Sequence, residues 1–323
     1  MNVSFIQKLK SGILTVLLFS VLLLFTLRAP RYMQVFLKGV SLWATCVLPS
    51  SLPFLFLTAL LTNTGSVQKL SKAFSPVCKV LFNLSGVGGY CLLTSVLCGY
   101  PVGAKALYDL YAAGTVRKDE VTKMSLLCST SGPLFILGSV GGGMFQNQKV
   151  GSILLISHLF SVLLSGMVLR FFPTAENSSS LPPLDKTDNL LYESMYSSVL
   201  SALLVGGFVC IFYTFAVLLS DYKILYPLQV VLQNLGMPAA CSEGVCFGLI
   251  EMTGGVGILS ASATPLSVAL CAFLITLGGL SILFQQICYF QKARVKLQIF
   301  LPVKLLQALF AFTLCYGFCL LFL

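Results

Sequence analysis

The sequence predicts an all-α polytopic membrane protein with about seven transmembrane helices in two inverted repeats, each containing an interfacial helix and a re-entrant hairpin. Three observations lead to this prediction. Hydrophobic residues make up 57% of the 323 residues and charged residues only 9%, against about 25% charged in a soluble protein. Long apolar runs alternate with short apolar arms that break at glycines, in the same order in each half of the chain. Lys and Arg are concentrated on one face of this layout.

The net charge of +10 does not require a nucleic-acid partner, because cytoplasmic loops of membrane proteins are themselves rich in Lys and Arg. The 12 cysteines lie mostly alone within apolar runs and form no C-x-x-C pair, and His158 is the single histidine. The sequence therefore predicts no metal site and no cofactor.

The motifs of common hydrolases are also missing, since the chain has neither H-E-x-x-H nor G-x-S-x-G. The segment 99–106 resembles a phosphate loop only superficially, because its spacing is wrong and no Ser or Thr follows Lys105. We expect no catalytic residues and no enzymatic activity.

The N-terminal unit, residues 1–38, is predicted to hold a first transmembrane helix whose apolar part is Ile13–Leu27. Residues 39–172 form the first repeat. In order, this repeat is predicted to contain a span kinked at two prolines, an amphipathic interfacial helix, a re-entrant hairpin, an interrupted span and a final span: Gly39–Leu61, Val67–Leu84, Gly86–Gly114, Lys123–Phe145 and Lys149–Phe172.

A cytoplasmic linker rich in Ser, Pro and acidic residues is predicted at 173–193, and residues 194–323 form the second repeat. Three crossings per half invert this repeat relative to the first. The same order of elements recurs, with a basic loop before the last span: Ser194–Leu219, Ile224–Leu235, Cys241–Ala263, Thr264–Phe290 and Ile299–Leu323.

The first hairpin is too short to cross a membrane. Gly86–Cys98 would be about 20 Å long as a helix, whereas a crossing needs about 20 residues. The chain then breaks at Gly99–Gly103 and continues. Irregular backbone at membrane depth is tolerated only where protein buries it or a wet cavity meets it, so we expect a site at this break. In the second hairpin we expect the break at Gly254, Gly255 and Gly257.

Two charged residues lie close to these breaks. Lys105 follows the Gly103 break, where free N–H groups at a helix start favour an anion. It would either hold a substrate anion, reach out to the cytoplasmic interface or pair with Asp109. Glu251 could take a coupling proton, bond to substrate or pair with Lys105. The alternative is that Glu251 only caps backbone donors.

Polar groups also lie within two of the predicted spans, and in the first of these they interrupt it. Ser129–Pro133 would present hydroxyls and a freed carbonyl to the space between the hairpins. Gly278–Ser281 and Gln285 occupy the corresponding span of the second half. Close helix packing through small residues is the alternative explanation for the glycines.

Several of these segments resemble the YlbJ family of sporulation integral membrane proteins, which is part of the nucleoside-recognition or gate domain group. The resemblance extends from about Gly39 to the end of the chain and implies that both repeats are of the gate type, with paired re-entrant hairpins. It also implies a role in spore cortex formation and in passing dipicolinic acid from the mother cell to the forespore. The motifs that carry it are Gly99–Lys105, Ser131–Phe135, Leu249–Gly254, and Gly278–Ser281 with Gln285.

We therefore predict a transporter of a small organic anion, with dipicolinic acid as the substrate that the resemblance implies, working by alternating access at the two hairpins. Lys105 would hold a substrate carboxylate and Glu251 would serve coupling or gating. A nucleoside-type carrier and a non-transporting scaffold for spore cortex formation are the alternatives. The predicted substrate-binding residues are Gly99, Tyr100, Pro101, Val102, Gly103, Lys105, Ser129, Thr130, Ser131, Gly132, Glu251, Thr253, Ser281 and Gln285.

The expected location is the cell membrane, and the resemblance implies the outer forespore membrane. Besides the lipid bilayer and the small anion, the sequence allows a coupling proton or sodium ion and a homo-oligomer as partners. An N-terminus in the cytoplasm would place 15 of the 20 Lys and Arg residues on the cytoplasmic side and 5 outside. This bias predicts a cytoplasmic N-terminus and an external C-terminus.

We accordingly expect alkaline phosphatase fused after Leu323 to be active, because that enzyme folds only outside the cytoplasm, and a green fluorescent protein fused there to stay dark. Fusions after Lys186, in the predicted cytoplasmic linker, serve as the control and should show the opposite pattern. A C-terminal fusion that fluoresces and lacks phosphatase activity would contradict the odd number of crossings.

Overall fold

The computed structural model describes residues 3–64, 66–171 and 189–323. Every regular element within these ranges is helical, which confirms the all-α class. The helices are α1 Val3–Leu27, α2 Ala29–Leu42, α3 Leu48–Asn63, α4 Ser66–Phe82, α5 Gly86–Cys98, α6 Val102–Ala112, α7 Val121–Leu127, α8 Gln148–Leu169, α9 Leu190–Asp221, α10 Tyr226–Asn234, α11 Ala239–Ile250, α12 Met252–Ser260, α13 Pro265–Leu277, α14 Gly279–Lys292 and α15 Leu297–Phe322, with the π-helical segments π1 Trp43–Val47 and π2 Leu134–Met144.

Among the described residues, five helical segments are long and apolar enough to cross a membrane. A sixth is added if α4 and α5, which meet at 95°, are counted as one broken span. The chain is thus a multi-pass helical membrane protein, while the count of seven and the inverted repeats stay predictions. The five segments are Ala29–Leu61, Gln148–Leu169, Leu190–Asp221, Pro265–Lys292 and Leu297–Phe322.

The N-terminal spans differ from their predicted bounds. The second span begins at Ala29, ten residues before the predicted Gly39, because Pro30 suits the first turn of a helix. Arg31 in that turn donates two hydrogen bonds to Asp221 at the end of α9, at 2.6 and 2.5 Å. This ion pair places the start of α2 beside the end of α9. The regular α-helix is interrupted, in place of a sharp kink, by the π-helical segment just before Pro49.

The predicted linker at 173–193 lies mostly outside the described residues, which resume at residue 189. Its last four residues belong to α9, which begins at Leu190 rather than at the predicted Ser194. Nothing in the composition of this stretch forbids a helix, and its leucines and tyrosine extend the apolar span by one turn.

The first arm of the first hairpin has the predicted bounds, whereas the break is shorter than the predicted Gly99–Gly103, because α6 already begins at Val102. α5 is Gly86–Cys98, and it ends because Gly99 takes a φ of 75°, in the left-handed region that favours glycine. At the other end of α5, the Ser85 backbone N–H and hydroxyl both donate to the buried Glu120 carboxylate, each at 3.1 Å. These bonds fix the bend between α4 and α5.

In the second hairpin the predicted break at Gly254, Gly255 and Gly257 is wrong. All three glycines lie inside α12, and the break is at Glu251. The carboxylate there accepts hydrogen bonds from the first free N–H groups of α12, so the chain can start a new helix at once. Gly255 instead allows close packing, because a Cβ on it would lie 2.2 Å from the Cα of Gly248 in α11.

Two of the predicted spans are broken helices. The interruption expected in Lys123–Phe145 is real, since α7 and π2 are separated by residues 128–133. The span predicted as continuous at Thr264–Phe290 is broken as well. Gly278 and Gly279, with φ of 94° and 62°, end α13 and start α14. Consecutive left-handed residues cannot continue a right-handed helix.

The structure places one lysine differently from the charge count that predicted the topology. Lys304 was assigned to the cytoplasmic side, but it lies within α15 and is 0% exposed. α15 packs against α13, α8 and α7, so the lysine is inside the helix bundle rather than in a loop. Without Lys304, the predicted layout has 14 basic residues on the cytoplasmic side and 5 outside, so the charge bias still favours the predicted orientation.

The glycine contact in the second hairpin gives a stability prediction. Gly255→Ala should lower the melting temperature and the yield of folded protein in membranes, because overpacking of a tight contact costs about 1–3 kcal/mol. Gly257→Ala is the matched control, since nothing lies within 4 Å of a Cβ at that position. Equal melting temperatures of the two variants in the same detergent would contradict the close approach of α11 and α12.

Candidate functional site

The four helix breaks meet in pairs. In the first half, the α5–α6 break contacts the α7–π2 break, so that a Cβ on Gly99 would lie 2.6 Å from the backbone nitrogen of Gly132. In the second half, a Cβ on Gly279 would lie 2.6 Å from the Gly248 carbonyl oxygen and 3.3 Å from the Met252 nitrogen. Each hairpin break is therefore packed on the break of the span that follows it.

A cavity of about 50 Å³ lies where residues of the two halves face each other. Its wall combines the apolar surface of α9 and π1 with polar groups from the breaks. The lining residues that the sequence predicted for the site are Gly99, Tyr100, Ser131, Gly132, Glu251, Thr253 and Gln285.

The other predicted site residues do not line this cavity. Pro101, Val102 and Gly103 are buried at the start of α6, and Ser281 is buried in α14. Thr130 holds the first break to α5, since its backbone N–H and its hydroxyl both contact the Ser95 hydroxyl, at 3.3 and 2.8 Å. These residues shape the breaks behind the cavity wall.

Glu251 is buried, with 1% of its surface exposed. Its two carboxylate oxygens accept hydrogen bonds from the backbone N–H groups of Thr253, at 3.0 Å, and Gly254, at 2.6 Å. This is the capping role that the sequence left as an alternative. Because Glu251 also lines the cavity, its remaining lone pairs face the space that a ligand would occupy.

Gln285, unlike Glu251, has a side chain without hydrogen-bond partners among the described residues. It is only 4% exposed, lines the cavity, and neither its amide nitrogen nor its amide oxygen has a hydrogen-bond partner among the described residues. Ser51, on the other side of the same cavity, also has an unpaired buried hydroxyl. Buried polar groups are nearly always paired, so these side chains offer donors and an acceptor to a bound molecule.

Lys105 is not part of this arrangement. Its ammonium nitrogen lies 2.8 Å from an Asp109 carboxylate oxygen, and its side chain is 35% exposed. This is the pairing that the sequence left as an alternative. It does not line the cavity and is not paired with Glu251.

Sequence reasoning missed Lys304, the buried lysine of α15. Its Nζ donates to the Ser129 carbonyl at 2.5 Å, to the Gln307 amide oxygen at 2.9 Å and to the Tyr100 hydroxyl at 3.2 Å. Tyr100 lines the cavity, so the lysine lies directly behind the cavity wall. Because Lys304 lies next to a predicted basic loop, the sequence did not indicate that it is buried behind the site. A charged residue inside an apolar span is nevertheless itself a signal of a functional site.

His158, in the middle of α8, was also missed. Its Nε2 accepts the backbone N–H of Ser131 at 3.0 Å, and its Nδ1 lies 2.9 Å from the Thr276 hydroxyl. Because Nε2 acts as an acceptor, the neutral ring carries its proton on Nδ1 and donates it to Thr276. The histidine thus connects the break of the first half to the end of α13.

The fold and the site together define a polytopic helical membrane protein in which broken helices from both halves line a largely apolar cavity that holds a few polar groups. The Gate family, described as nucleoside recognition, matches residues 44–148, which include the first hairpin and π2. The chain is 27% identical over 304 residues to the sporulation integral membrane protein YlbJ of Bacillus subtilis (strain 168), covering 84% of this chain and 74% of that protein. The resemblance inferred from the motifs is thereby confirmed. No solved structure matches the chain.

The surface position of Lys105 leads to a prediction. An exposed pair at i and i+4 contributes only about 0.3–0.5 kcal/mol, so we expect Lys105→Ala to insert and function like Lys149→Ala, a change at an exposed residue of α8. The measurement is substrate uptake into proteoliposomes at equal protein content. A large loss of uptake in Lys105→Ala but not in Lys149→Ala would show that Lys105 does contribute to substrate binding.

Proposed function

We propose that this protein is a secondary transporter of a small organic molecule in the cell membrane, built from two inverted repeats that enclose one substrate site. The observation that carries this proposal is the buried, unpaired amide of Gln285 in a cavity formed by helix breaks of both halves. Irregular backbone with spare hydrogen-bonding groups at membrane depth is typical of transporter sites.

Alternating access fits the way the breaks are paired. A cavity of about 50 Å³ holds only a few waters at about 10–15 Å³ each, so in this conformation it is too small for a larger molecule. Loading then requires the two halves to part. Each hairpin break is packed on a break of its own half, so each half can move as one body while the cavity between them opens.

An anionic substrate is favoured by the first half of the site. The helix start of π2, whose Phe135 lines the cavity, carries no side-chain cap, so its free N–H groups favour negative charge. Lys304 adds a positive charge behind Tyr100. Together with the relative's role in sporulation, as its name states, this supports dipicolinic acid as substrate and the outer forespore membrane as location.

A nucleoside is the second candidate, on different grounds. An amide with a free donor and a free acceptor can bond the edge of a nucleobase, and Glu251 in the same cavity would accept from a ribose hydroxyl while repelling a carboxylate. The description of the matching family as nucleoside recognition agrees with this reading.

Uptake by purified protein in liposomes decides between these candidates. We expect labelled dipicolinate to accumulate and to be displaced by excess unlabelled dipicolinate but not by uridine. Accumulation of labelled uridine instead would establish the nucleoside carrier. If neither enters while the protein is folded and correctly inserted, the transporter is ruled out in favour of the scaffold.

Within the same assay, Gln285→Leu should raise the KM for the transported substrate about tenfold or more, because a buried hydrogen bond to the ligand contributes about 1.5 kcal/mol or more. Gln291→Leu, at an exposed position of the same helix, is the matched control and should behave like the wild type. Indistinguishable KM values for the two variants would remove Gln285 from the site.

A further inference from the structure

The environment of Lys304 suits an ammonium ion. An ammonium has three N–H donors and no acceptor, and three oxygens surround Nζ: the Ser129 carbonyl, the Gln307 amide oxygen and the Tyr100 hydroxyl. The side chain is 0% exposed. A neutral amine keeps only two donors, so loss of one proton would leave one of these oxygens without its hydrogen bond.

The charge itself has no counterion nearby. None of the ion pairs among the described residues includes Lys304, and its three contacts are all uncharged oxygens. A buried charge without an opposite charge is costly, and a neutral residue of similar size would pack here without that cost. A purely structural role therefore does not account for a lysine at this position.

The contacts of Lys304 extend into a closed ring of hydrogen bonds. The Tyr100 hydroxyl that accepts from Nζ donates to the Thr276 carbonyl at 3.0 Å, and the Thr276 side chain bonds His158. His158 accepts from the backbone of Ser131, two residues from the Ser129 carbonyl that binds Nζ. The ring joins both breaks of the first half to the end of α13 in the second half, which are the parts that alternating access must separate.

Other ionisable groups around the lysine are few. The helices packed against α15 and the first hairpin bring no carboxylate into contact with Nζ among the described residues, and His158 is close enough for the lysine charge to act on it. Glu120, which caps the start of α7, is bonded to Ser85 instead. The titratable side chains on these elements include Tyr100, Cys91 and Cys98 on the hairpin, whose Lys105 and Asp109 pair with each other, Lys149 and His158 on α8, Lys123 on α7, Cys271 on α13, and Cys315 and Cys319 further along α15.

We propose that Lys304 is the binding site of a coupling proton, held among a carbonyl, a hydroxyl and an amide oxygen. This inference rests on the proposed transport function and assigns its coupling ion. With the proton bound, the three hydrogen bonds close the halves on each other. When the halves part and water reaches the amine, the amine takes its proton from that water, because a hydrated lysine is an ammonium at neutral pH, and the closed form then holds the ammonium with the three oxygens. Because burial without an opposite charge disfavours the ammonium, the closed form gives the proton up to water on the side toward which the halves next part, the neutral amine loses one contact, and the ring opens.

Transport with an imposed pH gradient tests the assignment. The wild type should accumulate substrate above the equilibrium level when a proton gradient is applied, without sodium. Lys304→Gln should lose this gradient-driven accumulation yet still exchange labelled for unlabelled substrate. Lys304→Arg should lose it as well, because a guanidinium does not release its proton. Lys149→Gln, at an exposed lysine, is the control and should accumulate like the wild type. Gradient-driven accumulation by Lys304→Gln would overturn the proposal.

A second measurement needs no uptake assay, so it depends neither on transport nor on how the variants fold in that assay. Solid-state NMR of wild-type protein labelled with ¹⁵N-lysine, in lipid, distinguishes the ammonium from the neutral amine by the shift of Nζ, and the signal missing in Lys304→Gln identifies this residue. We expect it to change between the two forms across the pH range in which the protein stays folded, and sodium to leave it unchanged. A signal that stays that of an ammonium throughout would refute the proton site even if transport is confirmed. A titrating signal in a protein that transports nothing would leave the proton site standing while the transport function fails.

Discussion

A peptide group that loses its helical partner inside a bilayer finds no water to replace it, and leaving it unpaired costs several kcal/mol. This constraint acts at four places in the chain and explains much of the arrangement around them. The breaks lie against each other rather than against lipid, and side chains from neighbouring helices supply the missing partners. Ser95 serves the first span break, His158 pairs with Ser131, and Glu251 caps the helix that follows it.

The cavity is a consequence of the same constraint. Non-helical backbone packs less regularly than helices do. The side chains that pair with the broken backbone on one side leave polar atoms of the breaks facing the opposite side. Most of those atoms are paired within the protein, but the Gln285 amide is not. A bound molecule with complementary groups would complete the pairing, which is why the candidate site and the broken helices coincide.

Local chemistry allowed the first arm of the first hairpin to be predicted to the residue, because glycine and proline act on the backbone at the place where they occur. Gly278 and Gly279 were harder to interpret, since glycines in a long apolar run serve helix packing as often as they end a helix. In the second hairpin the glycines did serve packing, and a single capping carboxylate made the break. Lys304 could not be assigned from the sequence, because its partner Ser129 is 175 residues away and only the fold brings the two together.

The contact between Gly248 and Gly255 has a mechanical consequence. Backbones that touch leave no room for one arm of the hairpin to slide along the other, so α11 and α12 form a stiff rod folded on itself, with Glu251 at the tip. Such a rod pivots at its open end, where Pro238 and Ala261 join it to the rest of the chain. If the half moves as one body, a small rotation about that end would displace Glu251 at the tip further than it displaces Pro238 and Ala261.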